Sequence, residues 1–307
     1  MPDCLTGELP FRLVGGLSTG GVYALIAIGY TLVYGVLQLI NFAHSEVFMS
    51  GVLAGAVVIG ALAPDGATSQ AQGAMFLVAA LIPAMLASGT LAVVVERVAY
   101  RPLRRRGAPR LAYLISAIGM SLFLSYAVQV WRGVNPEAYP TTLRAQAVLQ
   151  IGGVRVFNKD LIIIVAAIAM VVALEAFIRR TRTGRALRAT AQDPEAAALM
   201  GVNIDRIITV TFFIGGLLAG AAGLLFGMAF GRTQWNIGFL PGIKAFTAAV
   251  LGGIGSIRGA LAGGLFLGLM ENVSAGCFGT QWRDVVAFVL LVVVLMVRPT
   301  GIFGEGT

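Results

Sequence analysis

The sequence predicts an all-α polytopic membrane protein with some broken or re-entrant helices, and three observations carry that prediction. Of 307 residues, 58% are hydrophobic and 12% charged, against roughly 25% charged in a soluble domain, which could not hide so much apolar surface. The apolar residues fall in runs long enough to cross a hydrocarbon layer of about 30 Å. The net charge of +8 rests on arginines, with Lys159 and Lys244 the only lysines. The arginines gather in short loops between the runs, as the positive-inside rule expects of a membrane protein, so the basicity is read as topology and not as a nucleic-acid surface. The start, MPDCLTGELPFRL, lacks the basic opening and small-residue cleavage site of a signal peptide, so the first run is expected to be kept. Cys4 and Cys277 suggest neither a disulfide framework nor a metal cluster.

In order, residues 13–40 carry no ionisable group except tyrosine. As a helix this run would be ~42 Å long, so it tilts, extends into an interface or breaks. The polar segment 41–46, NFAHSE, ends it abruptly, and a second run covers 47–63. The loop 64–73 holds Asp65 and no Lys or Arg, which places it outside. A third run, 74–95, leads into ERVAYRPLRRRGAPR, whose six arginines mark the cytoplasm. A fourth, 111–131, returns the chain to an external loop, 132–160, where AVLQIGGVRVF alternates around Gly152 and Gly153 as a small hairpin does. The fifth run, 161–178, holds Glu175 four residues before Arg179, which reads as a helix-end ion pair rather than a proton relay.

Next comes the longest polar stretch between two runs, 179–206, RRTRTGRALRATAQDPEAAALMGVNIDR, expected in the cytoplasm. The sixth run, 207–230, carries Gly216, Gly220, Gly223 and Gly227. Four-residue glycine spacing recurs at Gly16 and Gly20, Gly51 and Gly55, and Gly264 and Gly268, and it predicts close backbone packing between helices in lipid. In the segment 244–272 Arg258 is central, leaving apolar arms of about 13 and 12 residues, each too short to cross. The expectation is a break at 252–255, with Arg258 at an aqueous face. The last run, 285–297, is also short, so its start is expected before Arg283.

The two interruptions, 41–46 and 252–258, have the form by which transport proteins expose backbone polar groups to a solute. Asn41, His44, Glu46, Gly252, Gly253, Gly255 and Ser256 are thus candidates for a translocation path. Spacing alone equally allows a tight hairpin and a glycine-kinked helix. His44 is the only histidine, and with Glu46 it falls short of the three protein ligands a zinc site wants, so capping and packing are expected of both. No catalytic residue is assigned, because neither GxSxG nor HExxH occurs. No GxxxxGK[ST] loop occurs either, so a transport reaction driven by ATP would need its ATPase on another polypeptide.

The stretch 179–206 offers that polypeptide a contact. Asp193 and Pro194 suit a helix start, Glu195 favours the helix dipole, Ala196 and Ala197 give a small docking face, and Gly201 suits a stop. The predicted product is a short exposed helix over 194–200; its plain alternative is a solvated interfacial helix.

At these residues the chain resembles the LivH-type permeases of the branched-chain amino acid ABC importers, over nearly its whole length. The carrying segments are ALIAIGYTLVYGVLQLINFAHSE from Ala24, ERVAYRPLR from Glu96, LISAIGMSLFL from Leu114, RALRATAQDPEAAALMGVNIDR from Arg185 and KAFTAAVLGGIGSIRGALAGG from Lys244. Ser45 departs from the glycine of NFAHGE, Arg258 from a frequent proline, and the I-x-L-P tail of the general EAA loop is missing after Gly201. The resemblance implies a single permease domain of about eight membrane segments in the bacterial inner membrane, with an EAA-like coupling helix and its N-terminus outside. It implies transport of leucine, isoleucine, valine or a related small solute. It also implies a LivM-like second permease with the path between the two permeases, two cytoplasmic ATPases holding the ATP, and an extracytoplasmic binding protein. The rival reading is a stand-alone secondary transporter or channel, which would favour ionisable groups deep in the runs. Few are present.

Overall fold

The computed structural model describes residues 9–63, 69–140, 146–151, 154–298 and 301–302. Among them, eight helices are long and apolar enough to cross a membrane. In chain order the helices are α1 (Leu9–Leu37), α2 (His44–Leu62), α3 (Gln70–Arg105, with a π turn over Glu96–Tyr100), α4 (Arg110–Arg132) and α5 (Asn158–Arg180). Two short ones follow, α6 (Arg182–Gln192) and α7 (Pro194–Leu199), then α8 (Ile204–Phe230). The 14-residue α9 (Phe239–Gly252) precedes α10 (Ile257–Phe278) and α11 (Arg283–Val297), which a 3₁₀ turn, Thr280–Trp282, extends towards its start.

Helices α1 and α8 are buried on nearly every side, whereas α4 and α11 are covered on almost none and show Leu, Ile and Val outward. That is the distribution expected when the outermost helices face hydrocarbon rather than water. The glycine spacing explains the centre. A Cβ on Gly264 of α10 would lie 2.5 Å from Ala24 Cα of α1, and one on Gly220 of α8 would lie 2.8 Å from Met85 Cα of α3. Both are closer than real contacts allow, so these helices meet backbone to backbone.

One end of the bundle is rich in arginine. There Arg104 donates to Glu96 Oε1 at 3.0 Å and to Asp205 Oδ1 at 2.7 Å, tying α3 to the start of α8. At the opposite end, β1 (Glu137–Ala138) pairs antiparallel with β4 (Arg232–Thr233). Strands β2 (Ala147–Ile151) and β3 (Val154–Phe157) form the hairpin that the alternation predicts, with the turn glycines Gly152 and Gly153 outside the described residues.

Several expectations change. Helix α2 starts at His44, so half of NFAHSE is helical. The segment does break after Gly252, but α9 begins at Phe239 and α10 runs on to Phe278, 22 residues, which can cross alone. The arm after Arg258 looks short only because Glu271 and Asn272 interrupt its apolarity. In the fold both polar groups have partners: Tyr23 donates to Glu271 at 3.0 Å, and Asn272 donates to Thr19 at 3.3 Å. Arg258 sits on the open surface of the chain and donates to Glu175 at 2.9 Å, alongside the predicted Glu175–Arg179 pair at 2.7 Å. Cys277 is disulfide-bonded, a single bridge that the sequence reading did not anticipate; Cys4 lies outside the described residues.

Candidate solute path and coupling surface

After α1 ends at Leu37, Gln38 takes a positive φ of 52° and the chain doubles back into the bundle. His44 comes to rest against Gly29, two turns back along α1. Its ring packs edge-on to Tyr30 at 4.8 Å between centroids. Glu46 Oε1 accepts a hydrogen bond from Ser125 at 3.0 Å. Ser125 lies 15 residues into α4, ~22 Å from its arginine-bearing start, so the NFAHSE segment sits inside the bundle and not at its end. From the opposite end the chain after α8 dips inward through β4, and α9 starts beside the same segment: a Cβ on Gly242 would lie 3.2 Å from Ser45 Cα. Two interrupted helices, α2 and α9, therefore begin at a common depth within the bundle, the arrangement that lets polar backbone persist in a membrane.

Between them lies a cavity of about 510 Å³. Its polar lining includes Glu46 with Ser45, Ser121, Ser125 and Asn236; its apolar side includes Tyr126, Trp235, Phe239 and Phe246. Tyr126 stacks on Trp235 at 5.8 Å and 26°. Of the seven path residues expected from sequence, Glu46 alone lines this cavity. Asn41 is an anchor instead: its Oδ1 accepts from the buried Tyr100 hydroxyl at 2.9 Å. Tyr100→Phe would leave that buried acceptor unmet, and we expect a loss of about 1–3 kcal/mol in an unfolding measurement in detergent.

Gly252, Gly253, Gly255 and Ser256 gather elsewhere, in the turn between α9 and α10. Gly253 and Gly255 hold φ of 98° and 102°, conformations that only glycine adopts without strain, and Ser256 Oγ caps α10 by accepting from Gly259 N at 3.1 Å. None of these four lines the cavity, although Ile254 of the same turn shares a small pocket with Ile40, Tyr30 and Phe246 beside the first break. Sequence reasoning missed Ser121, Ser125 and Trp235. Ser121 and Ser125 are four apart and share one stripe of α4, which was a usable sign; nothing marked Trp235, because it reaches the cavity only through the inward dip.

At the arginine-rich end, α7 forms as its sequence dictates. Asp193 Oδ1 accepts from the backbone N–H of Glu195 at 2.9 Å and of Ala196 at 3.0 Å, Pro194 opens the first turn, and Gly201 stops the helix at φ 84°. Ala197 is buried against the bundle, while Glu195 and Ala196 are exposed. The helix ends at Leu199, one residue before the predicted limit, and Leu199 and Met200 project from it at 89% and 85% exposure.

An interrupted-helix bundle with a polar cavity at its breaks is the architecture of a multi-pass membrane transport protein. The fold is similar to that of a metal-chelate type ABC transporter solved in an inward-facing conformation, with a TM-score of 0.51 covering 97% of this chain and 91% of that one at 13% identity, a likeness of fold alone. The family model described as branched-chain amino acid transport system / permease component matches residues 12–295. The chain belongs to that family. It is 48% identical over 297 residues to the high-affinity branched-chain amino acid transport system permease protein BraD of Pseudomonas aeruginosa, covering 96% of this chain and 95% of the relative. It is 45% identical over 299 residues to the corresponding protein LivH of Escherichia coli K12, with the same coverage.

Proposed function

We propose that this chain is the membrane-spanning subunit of an ABC importer that carries leucine, isoleucine or valine across the bacterial inner membrane, driven by ATP hydrolysed on separate subunits. The observation that carries the reading is family membership across nearly the whole chain, joined to relatives named for that transport. The arginine-rich end, with α6 and α7, faces the cytoplasm, and the N-terminus and residues 132–160 face outward, because cations concentrate on the cytoplasmic side of short loops. The partners are a LivM-like second permease, two ATPases, one of them against α7, and a binding protein on the outer face. In α7, Asp193, Glu195 and Gly201 set the helix and its ends, and Ala196 and Ala197 give it a narrow body. Closure of the ATPases displaces this helix, and rocking of the permeases opens the path to alternate sides.

The experiment is reconstitution. Vesicles holding both permeases, both ATPases and the binding protein should take up labelled L-leucine only with ATP. Uptake by this chain alone, without ATPase, would instead establish the rival reading of a stand-alone transporter or channel.

A further inference from the structure

We propose that the cavity beside Glu46 is a seat for an ammonium group, taking a solute whose aliphatic part lies against the Tyr126–Trp235 wall. The Glu46 residue is 1% exposed, and its carboxylate is met by neutral donors: Ser125 at 3.0 Å on Oε1, Ser45 on Oε2, and also Ser121 and its own backbone N–H. No Lys, Arg or His lines the cavity, and among the described residues no cation pairs with Glu46. His44, two residues away, is turned towards Gly29 and Tyr30.

A carboxylate at this depth is costly to keep charged without a counter-charge, and such groups in membrane helices face paths or partners. The other buried acids have their partners in the chain: Glu96 has Arg104, and Glu271 has Lys244. Glu46 alone among these borders a cavity of this size, with serine hydroxyls covering its carboxylate on that side. The facing wall suits the same ligand, since the faces of Trp235 and Tyr126 attract a nearby cation while their area covers an alkyl chain. A volume of about 510 Å³ admits a small amine with room to pass. The larger groove, about 960 Å³ between α5 and α8, has the opposite character, with Arg182 and Arg206 at its rim and no acid. The proposal deepens the importer reading by assigning recognition of the amino end to this chain, and it leaves the solute carboxylate to groups outside the cavity's charge.

Trp235 makes the seat observable without transport. In nanodiscs, with Trp131 and Trp282 replaced by phenylalanine, isoamylammonium should shift Trp235 emission saturably, isovalerate should not, and Glu46→Gln should abolish the response while leaving the unfolding temperature within a few degrees. An equal response to the anion, or a response kept in Glu46→Gln, would overturn the seat. A second measurement separates this from the functional reading. In the ATP-driven complex, Glu46→Gln should raise the KM for L-leucine roughly tenfold, as expected when a hydrogen bond between two charged groups keeps its acceptor and loses the acceptor's charge. Leucine uptake unchanged by Glu46→Gln removes the seat and leaves the importer; a cation response without any leucine uptake in the unaltered complex removes the importer's substrate and leaves the seat.

Discussion

Replacing Lys244 with methionine is expected to destabilise the protein by about 3–5 kcal/mol, the cost of stripping a buried charge of its partner. Lys244 is buried in α9, and its Nζ lies 2.8 Å from Glu271 Oε1 of α10 and 2.7 Å from Asp284 Oδ1 of α11. Glu271 Oε2 in turn accepts from Tyr23 of α1 at 3.0 Å. One ammonium thus ties the short helix α9 to α10 and α11 directly, and to α1 through Glu271. Asp284 is half exposed and can hydrate when the lysine goes; Glu271, at 2% exposure, cannot. The stranded carboxylate is therefore where the loss arises, and the double variant Lys244→Met with Glu271→Met should recover most of it, because a buried pair exchanged for apolar groups costs little. Chemical unfolding in detergent reads both. A double variant no better than the single would mean that the loss comes from the packing of the lysine stem and not from its charge.

The same lysine marks the boundary of what the sequence made legible. The apolar runs, the arginine loops and the capped helix before Gly201 were readable because each is written in consecutive residues: hydropathy over a run, cations within a loop, and Asp-Pro-Glu followed by glycine at a turn's spacing. The break after Gly252 and the exposure of Arg258 were readable for the same reason. What could not be read were the facts decided across the bundle. Lys244 stood at the supposed edge of a run, whereas its partners lie on two later helices. Glu271 and Asn272 looked like an end to α10 because their partners, Tyr23, Lys244 and Thr19, are remote in sequence. The depth of Glu46 depended on Ser125 of another helix, and the start of α9 on Gly238 and Gly242, whose use is to let Ser45 approach and which carry no side chain to announce it.

Placing aspartates at both Leu199 and Met200 is expected to abolish ATP-driven uptake while leaving the isolated permease folded. Both side chains stand almost fully exposed at the end of α7, so the chain itself loses little by changing them; surface substitutions of this kind usually cost within about 0.5 kcal/mol. Any large effect must then come from a partner. Two exposed apolar residues side by side on a polar, arginine-flanked loop are the feature a docking cleft would cover, and burying each is worth about 1.5–3 kcal/mol. Losing both should weaken ATPase association by more than about a hundredfold, at 1.4 kcal/mol for each factor of ten. A titration of the ATPase onto nanodisc-held permeases measures this directly, and assembly of the two permeases with each other is the control that should not change. Gly201→Ala probes the shape of the same helix end: with φ at 84° it strains the stop and should lower uptake without removing the apolar contact. Undiminished ATPase association and uptake in the double aspartate variant would show that α7 is not the docking helix, and the cap at Asp193 would then be only the end of an interfacial loop.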